Sequence, residues 1–457
     1  MAQAPLPASG SPLPAEYQRL AREVIAEAVG TNTQASNGST TVLARKIRAR
    51  LIAAGYPASD IQMVGAVPKT QNLIVRLRGL PTGKKPILLA SHLDVVEARA
   101  ADWSMDPFTL NAKNGFLLGR GVEDNKAGVT TVVTNLIRWK REQWVPDRDI
   151  IAYFSANEEG DAENGIIWVL KNRRALIDAE FALNTDAGGV ELANGKPRAF
   201  GLQASEKVYV TYRLEAVNPG GHSSRPRADN AIYTLAAALT RLGAYRFPVM
   251  LNEISRAQLE RAATLAPADT AADMRAVAAN PADSAAVARL TGDPGFNTML
   301  RTTCVATMLE GGHAENALPQ RARATVNCRV LPNHKMDEVV ATLQRIAGDS
   351  VAVTQVYAPV ASDASPLRDD LLRVLGQLVP RFFPGATLVP LMEAGATDGL
   401  YLRNAGIPTY GVSAIAAVSG ESNAHGRDEK LRERSLYDAT EFWYSLVKKL
   451  ASPTVTP

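Results

Sequence analysis

Residues 87–96 read ILLASHLDVV: a short apolar run, then a histidine, then an aspartate two positions later. The run has the length and character of a buried strand, and that reading sets the fold. Only five histidines serve the chain's 457 residues. Taken alone, a strand-terminal histidine is more often a core residue with a local partner than a ligand. His92 is therefore either such a residue or one corner of a site, and the surrounding sequence has to decide.

Outward from this stretch, short apolar strands alternate with helices. NLIVRLRG and KPILLASHL precede a helix at 126–141; DIIAYFSANEE, a helix near 163–175 and AEFALNTDAGG follow. Upstream, Tyr17, Leu20, Ala21, Val24, Ile25 and Ala28 fall on one face of a helix, and a second helix covers about 40–54. Alternation of this kind predicts an α/β fold with a largely parallel sheet sandwiched by helices.

Near residue 205 the character changes. KVYVTYRLEAV alternates like a half-exposed strand and DNAIYTLAAALTRLGAY is an amphipathic helix. Strands near 302–310 and 321–331, the helix KMDEVVATLQRIAG and the strand VAVTQVY follow. The order βαββαβ predicts a small ferredoxin-like domain, interrupted by an Ala-rich excursion at 251–291 read as extra helices or a mobile segment. Helix–strand alternation resumes after about 360 and closes with a helix at 431–450. The expected division is 1–204 and 361–457 for one domain, with 205–360 inserted into it; a length of 457 residues also favours two domains.

Composition narrows the function. Hydrophobic residues make up 46% and charged residues 21%, as in a folded globular chain. No stretch approaches the roughly 20 apolar residues that span a bilayer. The formal charge of +4 is spread along the chain without a dense basic block, which argues against nucleic acid as partner. The two cysteines, Cys304 and Cys328, form no disulfide framework and no thiolate zinc site; they are either cross-linked across paired strands or two buried free thiols. The opening AQAPLPASGSP lacks the apolar core of a signal peptide but is like the start of an exported bacterial protein after cleavage. Export, periplasmic or secreted, is the expectation, with the cytoplasm as alternative.

Ligands in open α/β sheets gather at the carboxyl ends of strands. There the chain supplies His92 and Asp94, then Asp124 in GRGVEDNKAG, Glu158 and Glu159 in SANEEG, and Asp186 in NTDAGG; ESNAHGRDE adds His425 downstream. Singly, Asp124 is a plausible helix cap and adjacent glutamates usually face solvent. Together, so many carboxylates around one sheet edge repel one another unless a cation compensates. Two histidines and three carboxylates suit a pair of divalent ions, zinc first, cobalt or manganese next.

SHLDVV, DWSMDPFTL, GRGVEDNKAG, the Glu-Glu pair, GGHSSRP and SNAHGRDE resemble the dizinc metallopeptidase family of aminoacylases and carboxypeptidases, which includes acetylornithine deacetylase, succinyl-diaminopimelate desuccinylase and several dipeptidases. The motifs run in the family's order over nearly the whole chain. The resemblance implies that His92, Asp124, Glu159, Asp186 and His425 bind two metal ions. Asp124 bridges them, with His92 and Asp186 on one ion and Glu159 and His425 on the other. Asp94 orients the His92 imidazole. Glu158 is the general base, taking a proton from metal-bound water and returning it to the leaving amine. His222 in NPGGHSSRP, by itself a surface turn histidine, stabilises the oxyanion, often from a partner subunit. Asn316 and Arg329 bind the substrate carboxylate, Arg329 as a bidentate fork, and Gly395 and Thr397 belong to the substrate loop. His313 and His334 match no functional position and are read as surface residues. Asn157 stands where an aspartate often precedes the glutamate pair, and the 251–291 excursion is longer than in minimal members; both bear on the substrate more than on the reaction.

The expected function is hydrolysis of an amide next to a free carboxylate, as in a carboxypeptidase or N-acyl-amino-acid hydrolase. A dipeptidase or small-acyl deacetylase is the close alternative, and homodimerisation through the inserted lid domain is expected. A catalytically silent ligand-binding homologue predicts a lost metal ligand or base, and none is lost. A dinuclear phosphoesterase wants more histidines and a stronger anion clamp than one arginine.

Overall fold

The computed structural model describes residues 12–160 and 164–452. Most of the N-terminal segment that suggested export, residues 1–11, lies outside these described residues. The chain divides into two compact units. One comprises the residues up to Ala204, Ser365–Leu391 and the residues from Thr397 onward; the other comprises Ser205–Ala364 and Met392–Ala396.

In the first unit the Ile87–His92 strand is buried at every position. It pairs in parallel with Ile150–Ser155 on one side and Phe181–Asn184 on the other, and Thr409–Gly411 extends the parallel set. Burial of both faces explains why these strands read as continuous apolar runs. Leu88 and Ala90 pack on one face with Ile166 and Val169 of the Gly165–Asn172 helix and with Leu402. On the other, the Lys126–Arg141 helix packs against the strand and against the helices Ala15–Val29 and Glu433–Ala451. The six apolar positions predicted for Ala15–Val29 are all buried. Each fully buried Leu or Ile contributes about 1.5–3 kcal/mol, so this sandwich fixes the central strand firmly. The parallel pairing expected from strand–helix alternation forms the centre of a ten-stranded mixed sheet. Asn72–Leu77 and Ile61–Val64 on one side, and Lys196–Glu206 with Gly189–Ala193 on the other, add to it antiparallel.

The second unit holds an antiparallel four-stranded sheet in the order Thr303–Gly311, Arg321–Val330, Val208–Val217, Val351–Gln355. In chain order these strands and the helices Ala231–Ala244 and Met336–Ala347 alternate as βαββαβ. Ala322, Ala324, Val326, Cys328 and Val330 point inward at every second position and join Leu235, Leu242, Val339 and Leu343 in one apolar core. The excursion at 251–291 is ordered into three helices, Glu253–Ala262, Ala268–Ala279 and Ser284–Leu290, which with the next helix, Pro294–Leu300, share their own core of Leu259, Met274, Val277, Leu290 and Leu300. Cys304 and Cys328 face each other across paired strands and are joined as a disulfide. The reading of His334 as a surface residue is corrected: it is buried, with Nδ1 2.8 Å from the Thr302 hydroxyl and its ring against Phe247. The turn after Leu331 tucks it inward, and burial lowers its pKa. His313 is exposed.

Candidate metal centre

Three neighbouring parallel strands end within two residues of one another, His92 opposite Ser155 and Ala90 opposite Asn184. The residues just beyond them therefore emerge at one edge of the sheet. His92 Nε2 lies 3.0 Å from Asp124 Oδ1 and 3.3 Å from Asp186 Oδ1. The other Asp124 oxygen, Oδ2, lies 3.0 Å from His425 Nε2, which is also 2.7 Å from Glu159 Oε1. Two sets of donor atoms follow, His92–Asp124–Asp186 and Asp124–Glu159–His425, each with all its atoms within 4.8 Å of one another, and Asp124 is common to both. A third grouping of the same kind joins His92, Glu158 and Glu159. Gly128 lets the Lys126–Arg141 helix begin close against this edge, because a Cβ there would stand 2.1 Å from the Thr185 hydroxyl.

The protonation pattern shows what the cluster lacks. Burial would depress the His92 imidazole, but the Asp186 and Asp124 carboxylates outweigh it and hold the pKa well above the usual value. Hydrogen bonds to Asp124 and Glu159 push His425 up to about 10. Burial, aided by neighbouring carboxylates, raises Asp186 to about 7 and lifts Glu158 well above the carboxylate range. Burial opposes ionisation of Asp124 too, yet its two histidine partners keep it well below the ordinary value. Protons on the imidazoles and carboxylates thus supply positive charge that the side chains themselves do not. Oxygen and nitrogen donors in two overlapping sets fit divalent cations better than they fit one another.

The supporting contacts differ in part from expectation. The closest acceptor for His92 Nδ1 is the Asp94 main-chain carbonyl at 3.0 Å, whereas the Asp94 carboxylate stands 3.8 Å away. That carboxylate accepts the main-chain N–H groups of Glu158 and Glu159 at 3.1 and 2.9 Å. Asp94 thereby holds the glutamate pair, and its backbone holds the imidazole tautomer.

Two residues that sequence reading passed over complete the frame. Glu429 Oε1 accepts the N–H groups of Glu123 and Asp124 at 2.9 and 3.1 Å. Its Oε2 accepts the Gly121 N–H at 2.8 Å and Arg120 Nη1 at 2.9 Å. Arg120 Nη2 in turn donates to the carbonyl of Gly426 at 2.8 Å. This buried pair clips the Asp124 loop to the His425 loop. Both residues lie inside quoted motifs, GRGVEDNKAG and NAHGRDE, but a charge next to a ligand carries no local mark of being buried.

The remaining predicted residues divide between the units. His222, Asn316, Arg329 and Gly395 belong to the second unit and Thr397 to the first. His222 is exposed, with Nδ1 2.8 Å from the Ser224 hydroxyl, and it pairs across a short ladder with Ala317. Asn316 accepts the Ser223 N–H at 3.0 Å, so the structure brings it beside His222. Arg329 is not an open fork: Nη1 donates to the Ala394 carbonyl at 3.0 Å and the guanidinium lies 4.6 Å from the centre of the Tyr209 ring. Thr397 is buried, and its hydroxyl accepts the Gly399 N–H at the start of the Gly399–Asn404 helix.

Known proteins answer to this pattern. The chain is 28% identical over 387 residues, 81% of its length and 73% of the relative's, to the N-fatty-acyl-amino acid synthase/hydrolase PM20D1.1 of Danio rerio. It is 26% identical over 399 residues, 82% and 74% of the two lengths, to the probable carboxypeptidase S-like 2 of Dictyostelium discoideum. In fold it matches an M20 family metallo-carboxypeptidase from Sulfolobus solfataricus with a TM-score of 0.68 at 19% identity, over 94% of this chain and 98% of that one. The profile of peptidase family M20/M25/M40 matches residues 88–449. This chain belongs to that family and is a metal-dependent hydrolase.

Proposed function

We propose that this protein is a dinuclear zinc amidohydrolase that cleaves an amide bond next to a free carboxylate, as a carboxypeptidase or an N-acyl-amino-acid hydrolase. The observation that carries this reading is the pair of donor sets sharing Asp124. His92 and Asp186 would hold one ion, Glu159 and His425 the other, and Asp124 would bridge them. Cobalt or manganese could replace zinc at such oxygen and nitrogen donors. The names of the relatives support the substrate class, one an N-fatty-acyl-amino acid synthase/hydrolase and one a probable carboxypeptidase.

Bound divalent ions would polarise the scissile carbonyl and acidify water. The chain's own residues do the rest. Glu158 is buried, and its lifted pKa suits a group that accepts a proton from water and hands it to the departing amine. Asp94 fixes where Glu158 stands by binding its main-chain N–H. His222 would donate to the developing oxyanion, and Arg329, Asn316, Gly395 and Thr397 would receive the substrate's carboxylate end. With one guanidinium hydrogen already on Ala394, Arg329 would hold a carboxylate from its free side. The exposed edge strand of the second unit supports a homodimer, and the Cys304–Cys328 cross-link supports export to an oxidising compartment. Among the described residues no helix is long and apolar enough to cross a membrane.

The test is a zinc- or cobalt-loaded screen across N-acyl amino acids, blocked peptides and dipeptides, run on wild type and Glu158→Ala. Wild type should hydrolyse amides bearing a free carboxylate. The variant should keep both metals and lose turnover by about 10²–10⁴-fold or more. Loss of metal together with activity would refute the role given to Glu158; no hydrolysis by the metal-loaded wild type would refute the function.

A further inference from the structure

The second unit contains a cavity of about 420 Å³ that none of the residues assigned above lines. Its lining combines the polar Lys207, Gln258 and Thr298 with the apolar Pro294, Met299, Met392 and Ala394. Its size lies within the range of small-molecule pockets.

Lys207 is the unusual member. Only 1% of its surface is exposed. Its Nζ donates one hydrogen bond, to the Arg301 carbonyl at 2.6 Å, and an ammonium has three hydrogens to place. No carboxylate pairs with it among the described residues. Burial and the nearby Arg329 guanidinium, a second cation, push its pKa down to about 7. Arg329 likewise has no acidic partner there; its contacts are the Ala394 carbonyl and the Tyr209 ring. A buried ammonium facing a like charge is costly, and a chain that keeps one gains when an anion arrives. Gln258 adds to the donor side. Its Oε1 is taken by the Met392 N–H at 3.0 Å, and its amide hydrogens have no partner among the described residues. Met299 and Met392 add adaptable apolar surface to the same lining.

We infer that this cavity is a binding site for an amphiphilic monocarboxylate, its carboxylate received by Lys207 and Gln258 and its short hydrocarbon body by Met299 and Met392. The Lys207 and Gln258 donors select an anion, and the methionines select against one that lacks an apolar part. No candidate metal ligand lines the cavity, whereas Ala394, whose carbonyl accepts from Arg329, does. The excursion at 251–291 supplies Gln258 and the helix that follows it supplies Thr298 and Met299, which gives this helical region a ligand-binding role.

The experiment is a titration of the full chain with hexanoate, followed by calorimetry and by the carbonyl resonance of [1-¹³C]hexanoate. It is run on zinc-loaded and on chelator-treated protein, with inorganic phosphate as the anion lacking an apolar body. Hexanoate should saturate one site in both metal states, and phosphate should not displace it. Lys207→Met should weaken binding at least about tenfold, the loss of one charge-assisted hydrogen bond. Met299→Trp, which fills the cavity and leaves every charge in place, should abolish binding and carries the test should Lys207→Met fail to fold. Hexanoate binding confined to the zinc-loaded protein, wild-type affinity in the folded variants, equal affinity for phosphate, or no saturable binding would each overturn the assignment.

Discussion

At Glu429 one carboxylate accepts four N–H groups, three of them from the main chain that presents Asp124. Glu429→Ala leaves those donors buried without partners, at about 1–3 kcal/mol each. The expected outcome is a 10–100-fold loss of zinc affinity in a competition with a chromophoric chelator, the size typical of groups that orient ligands. Arg120→Met strands the Glu429 charge instead and should lower stability by about 3–5 kcal/mol in urea unfolding. Unchanged zinc affinity in folded Glu429→Ala would remove it from the frame of the site. Protonation of the ligands gives a second check. His425 holds its proton up to about 10, above the ordinary histidine value. Below that pH zinc must displace the proton, so apparent zinc affinity should rise with pH until about 10. The slope is about one log unit per pH unit for each proton displaced. His425→Asn should flatten it. Calorimetric titrations in two buffers of different ionisation enthalpy count the protons directly.

The edge strand Thr303–Gly311 shows the next scale. Val305, Met308 and Leu309 are 61%, 60% and 70% exposed, and Tyr233 on the Ala231–Ala244 helix is 68% exposed. One margin of that strand has no partner among the described residues, a template for pairing with a second chain. If the homodimer forms through this edge, Leu309→Lys should yield a monomer in sedimentation velocity while the zinc content stays unchanged. A variant that still sediments as a dimer would move the interface elsewhere. The elements themselves were readable to different depths. Ile87–His92 and its parallel neighbours were legible because burial on both faces leaves an uninterrupted apolar run. The helix Ala15–Val29 was legible from its spacing alone. In sequence, Asn72–Leu77 reads as one more strand of a largely parallel sheet, since pairing direction leaves no trace in so short a strand, and Ile61–Val64, Gly189–Ala193 and Lys196–Glu206 are not read as strands. Of the site, the ligand candidates stood at strand ends where the topology rule looks for them. Glu429, Arg120 and the inward turn of His334 depend on contacts between segments far apart in sequence, which no local pattern records.

For the whole molecule, the metal candidates and the disulfide lie in different compact units, each with its own apolar core. The candidate ligands come from segments between residue 92 and residue 425 of the first unit, and metal binding there would stabilise only a folded state that assembles them. The Cys304–Cys328 link closes a loop with a sequence separation of 24 in the second unit. Such a loop contributes about 3 kcal/mol by the chain-entropy estimate. Stability should therefore respond to two reagents in two places. Scanning calorimetry of the zinc-loaded, oxidised protein should resolve into two components. Chelation should lower the one belonging to the first unit, and reduction or Cys304→Ala/Cys328→Ala should lower the other. Hydrogen exchange read by mass spectrometry assigns the components: chelation should loosen 119–125 and 421–429, and reduction should loosen 303–311 and 321–330. A single transition that moves equally with both reagents would mean that the units unfold as one, and that the cross-link protects the metal centre as well as its own sheet.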